Sequence, residues 1–131
     1  MAGLRDPLDD VLDGWVAGQD LSAKAFHFVQ VVPGGIFAAA TAGQRGIIGV
    51  LLNAPKLGEQ CLIAGGKQVE VIAGGAIAQG DTLMSQTDGK AITAAVSAAN
   101  HVFGFALEAA SGAGVRFRMA FGYHGPMAND L

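Results

Sequence analysis

The sequence predicts a mainly β protein, folded as a small antiparallel β-barrel or sandwich with a short N-terminal helix. Three observations lead to this prediction. Apolar and polar residues alternate in several short stretches, turn signals separate these stretches closely, and no long helical pattern lies between them. Short strands at this spacing are typical of sandwiches and small barrels, whereas parallel α/β folds need helices between their strands.

Residues 115–121 show the clearest strand pattern. Their apolar side chains recur at every second position, which is the period of a half-buried strand. These side chains are Val115, Phe117, Met119 and Phe121, set against Arg116, Arg118 and Ala120. The same period places Phe103, Phe105 and Leu107 on one side of a neighbouring strand. Residues 46–52 are almost wholly apolar, which predicts a strand buried on both faces.

Turn residues define the ends of the shorter strands. Asp88-Gly89 lies between the short runs 83–85 and 91–93. Because glycine accepts the positive φ of a type I′ turn, this pair predicts a hairpin with a two-residue loop. Earlier in the chain, Phe26 and Phe28 alternate with His27, which predicts a strand with His27 on its solvent face.

The first segment has a helical rather than a strand period. Its apolar residues fall three and four positions apart, which lines one face of a helix: Leu8, Val11, Leu12, Trp15 and Val16. Asp6 suits the N-cap and Pro7 the first helical position. We therefore divide the chain into an N-terminal arm with a short amphipathic helix (1–20), a β-barrel domain (21–124) and a flexible C-terminal tail (125–131).

Composition favours assembly over interaction with nucleic acid or membrane. Charged residues make up 15% of the chain and the net charge is −3, whereas soluble domains usually carry about 25% charged residues. A sparsely charged surface favours burial in an oligomer or against a partner. Nucleic-acid binding needs clustered basic residues, and here only Arg116 and Arg118 lie close together. The uncharged stretches 25–44 and 91–107 are interrupted by turn or polar residues, so neither predicts a membrane span.

No pattern in the sequence predicts catalysis. The chain has three histidines, none within the short spacings of a metal site: His27, His101 and His124. The single cysteine, Cys61, lies in an apolar strand pattern, where a buried structural thiol is expected rather than a nucleophile. We therefore predict that the protein is not an enzyme and has no catalytic residue, metal ion or cofactor.

Residues 80–91 suggest one alternative function. A Gly-Asp-x-Leu strand followed by a lysine in a hairpin is similar to the lipoyl and biotinyl carrier domains, in which the modified lysine lies exposed at the hairpin tip. Here Gly89 separates Asp88 from Lys90, so the lysine is expected beyond the tip, on the second strand. A solvated lysine after a tight turn is the simpler interpretation. A carrier domain, or a β-barrel accessory module of an enzyme, stays open as the alternative.

A series of motifs between Gly46 and Phe121 has an informative order. They are the 46–50 strand, residues 56–60, residues 69–77, the Gly-Asp-x-Leu segment at 79–83, Asp-Gly-Lys-Ala at 88–91, residues 102–110 and the terminal strand at 115–118. In this order the motifs resemble the small β-barrel decoration, or cement, proteins of tailed-bacteriophage heads. The resemblance covers well over half of the chain.

The resemblance implies a structural protein of the virion, assembled in the host cytoplasm. It would bind the outer surface of a phage capsid and stabilise the shell by bridging capsomers. Its implied partners are the major capsid protein and further copies of itself, in a homotrimer. A phage tail structural protein of similar β content remains an alternative.

The predicted helix supplies the candidate interface with the capsid or with an adjacent subunit. The residues are Leu8, Val11, Leu12 and Trp15, which share one helical face. Tryptophan is a frequent anchor of interfaces, and a helix this short needs a surface to lie on. The competing interpretation is that Trp15 packs against the protein's own barrel.

Overall fold

The computed structural model describes residues 11–94 and 100–126. Within these residues the regular structure consists of strands, without a helix. The ten strands are β1 (Val11–Val16), β2 (Phe28–Val32), β3 (Gly35–Ala38), β4 (Ile47–Leu51), β5 (Gln60–Ala64), β6 (Gln68–Ile72), β7 (Leu83–Ser85), β8 (Ala91–Thr93), β9 (His101–Ala106) and β10 (Arg116–Pro126).

The strands form three sheets. The first has the order β1-β5-β4-β2-β3, the second has the order β6-β10-β9, and β7 pairs with β8 in the third. Every ladder between these strands is antiparallel. The prediction of a mainly β, antiparallel fold is confirmed. The five-stranded sheet curls without closing into a barrel, because only isolated contacts join its two ends.

The segment that follows β1 makes those contacts along the outer edge of β3. Ala17 forms an isolated bridge with Ile36, and the backbone N–H of Gly18 donates to the carbonyl of Ile36 at 2.9 Å. The side-chain oxygen of Gln19 accepts a hydrogen bond of 2.8 Å from the backbone N–H of Ala38. Backbone groups of the β3 edge are therefore paired within the chain, which limits pairing with another molecule.

Two hydrophobic cores share the middle strands of the five-stranded sheet. Adjacent residues of β2, β4 and β5 point to opposite cores, because side chains alternate along a strand. The larger core also takes residues from β6 to β10, and the smaller one is enclosed by the five-stranded sheet and Leu21. The adjacent pairs, larger core first, are Phe28 and Val29, Val50 and Leu51, and Ala64 and Ile63. This arrangement confirms that the apolar run 46–52 contains a strand buried on both faces.

The prediction of a helix from Leu8 to Val16 is wrong for the described part of the segment. Val11–Val16 form strand β1, paired with β5, and Leu8 lies outside the described residues. The register places Leu12 opposite Ile63 and Trp15 opposite Cys61, with a bulge between them. A bulge adds one residue to a strand, so two positions on one face stand three residues apart instead of two. That spacing imitates a helix.

The hairpin predicted around Asp88-Gly89 is present as β7–β8, but its loop has three residues rather than two. The N–H of Gln86 donates to the carbonyl of Lys90 at 2.8 Å, and the N–H of Gly89 donates back to the carbonyl of Gln86 at 3.0 Å. Gly89 has a φ of +93°. A turn closed by a left-handed glycine is the usual form of a three-residue loop.

Strand β9 departs from the predicted alternation. Phe103 is buried, with its ring centroid 5.7 Å from that of Phe28, whereas Phe105 is 43% exposed. The two rings therefore do not share an environment, as the sequence period predicts. Between them Gly104 has a φ of +140°, which interrupts the regular pleat. On β10 the predicted alternation is confirmed, with Phe117 and Met119 buried and the two arginines exposed.

No helix in residues 11–94 and 100–126 is long and apolar enough to cross a membrane. Strand β10 continues through Pro126. The remainder of the predicted C-terminal tail, residues 127–131, lies outside the described part of the chain.

Candidate interaction surface

Trp15 is the one member of the predicted interface whose side chain the structure describes, and it is 39% exposed. It lies on the edge strand β1, opposite Cys61 of β5. Val11 and Leu12 belong to the same strand, and their backbone register with β5 is all that is described. Leu8 lies outside the described residues. The structure therefore presents Trp15 at a sheet edge, where sequence analysis expects a helix face.

Three further exposed apolar side chains lie close to Trp15 in chain or register. Their exposed fractions are 46% for Val16, 67% for Leu57 and 41% for Leu62. Val16 is opposite Gln60, so Leu62 is its diagonal neighbour on the outward face of β5. We call Trp15, Val16, Leu57 and Leu62 the apolar patch. Trp15, opposite the buried Cys61, lies on the other face of β1 from Val16 and Leu62, so the patch wraps around this sheet edge.

The loop that carries Leu57 is joined to the end of β1 by two backbone hydrogen bonds. The N–H of Gly58 donates to the carbonyl of Ala17, and the N–H of Ala17 donates to the carbonyl of Glu59, both at 2.9 Å. Of the six large apolar side chains that are exposed in the described residues, four belong to the patch. Clustered exposed apolar groups mark interaction sites more often than scattered ones.

The outer face of the β6-β10-β9 sheet has a different chemistry, because its charges are paired. The Nε of Arg116 lies 2.9 Å from a carboxylate oxygen of Glu70. Glu108 accepts hydrogen bonds from both the backbone N–H and the guanidinium of Arg118, at 3.0 and 3.3 Å. These contacts hold the pKa of the Glu108 carboxyl below its ordinary value. Both pairs are solvent-exposed, so each contributes little to stability.

The hairpin tip does not present a free lysine. Lys90 lies beyond the loop, on the β8 side, with its ammonium 3.5 Å from the carboxylate of Asp88. The loop itself is held against the body of the protein, because the N–H of Phe28 donates to the carbonyl of Gly89 at 2.8 Å. A carrier lysine must protrude in order to reach successive active sites. The docked loop does not suit the carrier alternative.

His27 is buried at this contact and is only 6% exposed, contrary to the predicted solvent-facing position. The difference arises because β2 begins at Phe28, so His27 directly precedes the strand instead of lying within it. Phe26 has a φ of +64°, which breaks the alternation on which the prediction depended. Nδ1 of His27 lies 3.0 Å from the carbonyl oxygen of Ala25, to which it donates a hydrogen bond. Burial is the largest of the effects that lower the pKa of His27 below its usual value.

Cys61 is buried, and burial raises the pKa of its thiol. This placement confirms the predicted burial of the thiol. The described residues contain no group of three or more His, Cys, Asp or Glu side chains arranged to hold a metal ion. The side chain of His124 is outside the description.

Residues 11–94 and 100–126 thus form an all-β domain with exposed apolar side chains at the β1 edge. The chain belongs to the phage cement protein family, whose model matches residues 16–121. It is thus related to capsid-associated structural proteins of bacteriophages, and the resemblance found in the sequence is confirmed.

One solved structure extends the comparison of the fold. The N base of the head fiber gp8.5 in bacteriophage phi29 superimposes with a TM-score of 0.66 at 23% sequence identity. The match covers 85% of this chain and 93% of that one. At this identity the likeness concerns the fold alone. No curated protein sequence matches the chain.

Proposed function

We propose that the protein binds the outer surface of a phage capsid and stabilises the shell by bridging neighbouring capsomers. Its partner is the major capsid protein, and it acts as a homotrimer without catalysing a reaction. The observation that carries the proposal is the match to the phage cement family over residues 16–121. The all-β fold, with two cores and no exposed lysine at the hairpin tip, is consistent with a rigid structural role.

Bridging explains how modest contacts can stabilise a shell. Once one subunit of an oligomer is bound, the others meet their sites at a high effective concentration, and overall affinity exceeds that of each contact. The oligomer need not make one very strong contact. It needs a stiff body and an accessible surface on each copy.

The apolar patch is the surface that we assign to the contact with the capsid or with an adjacent subunit. It contains Trp15, the described member of the interface predicted from sequence. Its side chains are exposed in the single chain, and burying apolar area against a partner gives about 25 cal/mol per Å². Arg116 and Arg118 form ion pairs on the outer face of the β6-β10-β9 sheet, so that face is less suited to a contact that excludes water.

The direct test is co-sedimentation of the purified protein with phage heads that lack it, together with its mass by light scattering. We expect a trimer that pellets with the heads and raises their melting temperature. A monomer that stays in the supernatant would contradict both the capsid contact and the trimer. A protein that instead pellets with isolated tails would contradict the head assignment and favour the tail alternative.

Replacing Trp15 with alanine is expected to weaken head binding by roughly tenfold or more, as is usual for a central aromatic anchor. Stability of the free protein should fall much less than for a buried aromatic, because Trp15 is 39% exposed at a sheet edge. Binding isotherms on heads, paired with thermal melts of the free protein, measure both quantities.

Phe105→Ala is the matched control, since Phe105 is similarly exposed, at 43%, but belongs to β9 in the β6-β10-β9 sheet. It should bind heads like the unmodified protein. If Trp15→Ala lowers stability and leaves binding intact, Trp15 packs on its own domain and the interface assignment is wrong.

A further inference from the structure

The contact between the β7–β8 loop and the segment before β2 is tight and polar. The ammonium of Lys24 donates to the carbonyl of Asp88 at 3.0 Å, and the N–H of Phe28 donates to the carbonyl of Gly89 at 2.8 Å. Gly89 is buried, and a Cβ there would lie 3.1 Å from the carbonyl oxygen of Phe28. Two hydrogen bonds and close packing therefore fix the loop to segment 24–28.

His27 lies directly beneath this loop. A Cβ at Gly89 would lie 3.3 Å from the Cβ of His27 and 3.6 Å from its Cδ2. The imidazole is buried, and its Nδ1 is committed to the carbonyl of Ala25. Any change in the charge of this ring therefore occurs against the loop backbone, in a largely buried position.

Three charged side chains lie near enough to act on the charge of the ring, and two of them are cationic. Lys24 belongs to the same segment as His27, Asp88 belongs to the loop, and Lys90 directly follows the loop. The Asp88 carboxylate is already engaged, because it accepts from the side-chain amide of Gln86 and from the backbone N–H of Lys90 and pairs with the Lys90 ammonium. A positive charge on His27 would face two lysines and a carboxylate whose partners are already in place.

We propose that the tip of the β7–β8 hairpin, Gln86–Lys90, is an acid-sensitive latch, released from segment Lys24–Phe28 when His27 takes up a proton. In the closed form the neutral ring packs under Gly89. Protonation adds a positive charge to a largely buried ring near Lys24 and Lys90, and release of the loop exposes that charge more fully to water.

The direction of the pH effect follows from linkage. Burial lowers the pKa of His27 below its ordinary value of 6.5, and the charges of Lys24 and Lys90 lower it further. The Ala25 carbonyl and Asp88 oppose them without reversing the result. The open form therefore binds the proton more tightly than the closed form. Opening is favoured as pH falls below about 6.5, and the closed form is fully stabilised above that value.

Release of the latch would remodel a surface groove. A cavity of about 320 Å³ lies between the β2–β3 face and the loop, with Thr87 and Asp88 forming one wall and Gln19 and Phe37 among its other lining residues. Because the wall consists of loop residues, opening the latch would widen the groove while both cores stay folded.

Amide hydrogen exchange followed by NMR on the full chain, from pH 7.5 to 5.0 and corrected for intrinsic rates, tests the proposal. The Phe28 amide, which bonds to Gly89, should lose protection below pH 6.5 by up to about tenfold per pH unit, the limit for one proton. The Gln86 amide, bonded within the hairpin, should keep its protection, as should Met119 in β10. His27→Gln should abolish the pH dependence at Phe28, and His101→Gln should not.

Unchanged protection at Phe28 across this range overturns the latch, as does a loss shared equally by Met119, since that is global unfolding. If His27→Gln does not fold, titration of the His27 ring in the unmodified protein decides the matter. A pKa at or above 6.5 for the ring would reject the proposal. These readings use the free protein, so they are independent of capsid binding.

Discussion

Replacing Phe103 with alanine should lower the free energy of unfolding by about 3–5 kcal/mol, the usual cost of emptying a buried aromatic site. Its ring is buried against Phe28 and stacks on Phe121 at a centroid distance of 6.4 Å. The substitution removes apolar burial and leaves a cavity beside the rings of Phe28 and Phe121. Chemical denaturation of the purified protein measures the change.

The same substitution at Phe105, two residues along β9, should cost less than about 1 kcal/mol because that ring is 43% exposed. Both substitutions replace phenylalanine with alanine on the same strand, so the difference between their unfolding free energies measures the effect of burial. Equal losses at the two positions would mean that the face change at Gly104 is absent in solution, as the uninterrupted sequence period predicts.

Replacing Gly104 with alanine should destabilise the protein by at least about 3 kcal/mol. Two effects combine here. The φ of +140° is one that side chains rarely adopt, at a cost of about 1–3 kcal/mol. An added Cβ would also overlap the carbonyl oxygen of Ala120 on the neighbouring strand. Because the obstacle is backbone, neither a rotamer change nor a flexible side chain can relieve it. Equilibrium unfolding measures the loss.

Two other glycines separate these effects. Gly114 has a φ of +87° but open space around its Cβ position, so Gly114→Ala should show the conformational cost alone. Gly75 has neither a positive φ nor a nearby atom, so Gly75→Ala should be almost neutral. If Gly104→Ala costs no more than Gly114→Ala, the close approach of β9 to β10 does not contribute.

Much of the β architecture was predictable because it depends on local patterns. The alternation in residues 115–121 identifies β10 and its buried face, and the apolar run 46–52 identifies the doubly buried β4. The Asp88-Gly89 pair locates a hairpin. It does not distinguish a two-residue from a three-residue loop, because glycine suits the left-handed position of either one.

The wrong predictions arise where one residue changes which face of the sheet the following side chains point to. At Gly14 a bulge spaces Leu12 and Trp15 as a helix would, and at Gly104 a positive φ places Phe103 and Phe105 in different environments. Near His27 the positive φ of Phe26 has the same effect. Bulges and left-handed residues are set by neighbouring strands, so the sequence of one strand alone does not show them.

The apolar patch was only partly predictable. Trp15 was singled out as an interface anchor from its residue type, although on the wrong element. Leu57 and Leu62 carried no signal, because an apolar residue in a loop or strand is usually buried. Their exposure becomes visible once β1 is paired with β5 and the loop of Leu57 is hydrogen-bonded to Ala17.

The sharing of β2, β4 and β5 between the two cores has a mechanical consequence. A force applied to the apolar patch acts on β5. One face of this strand packs into the larger core and the other face into the smaller core. Neither core can move relative to the other without distorting β2, β4 and β5, since these strands belong to both cores. We therefore expect tension applied at this surface to be shared by both cores.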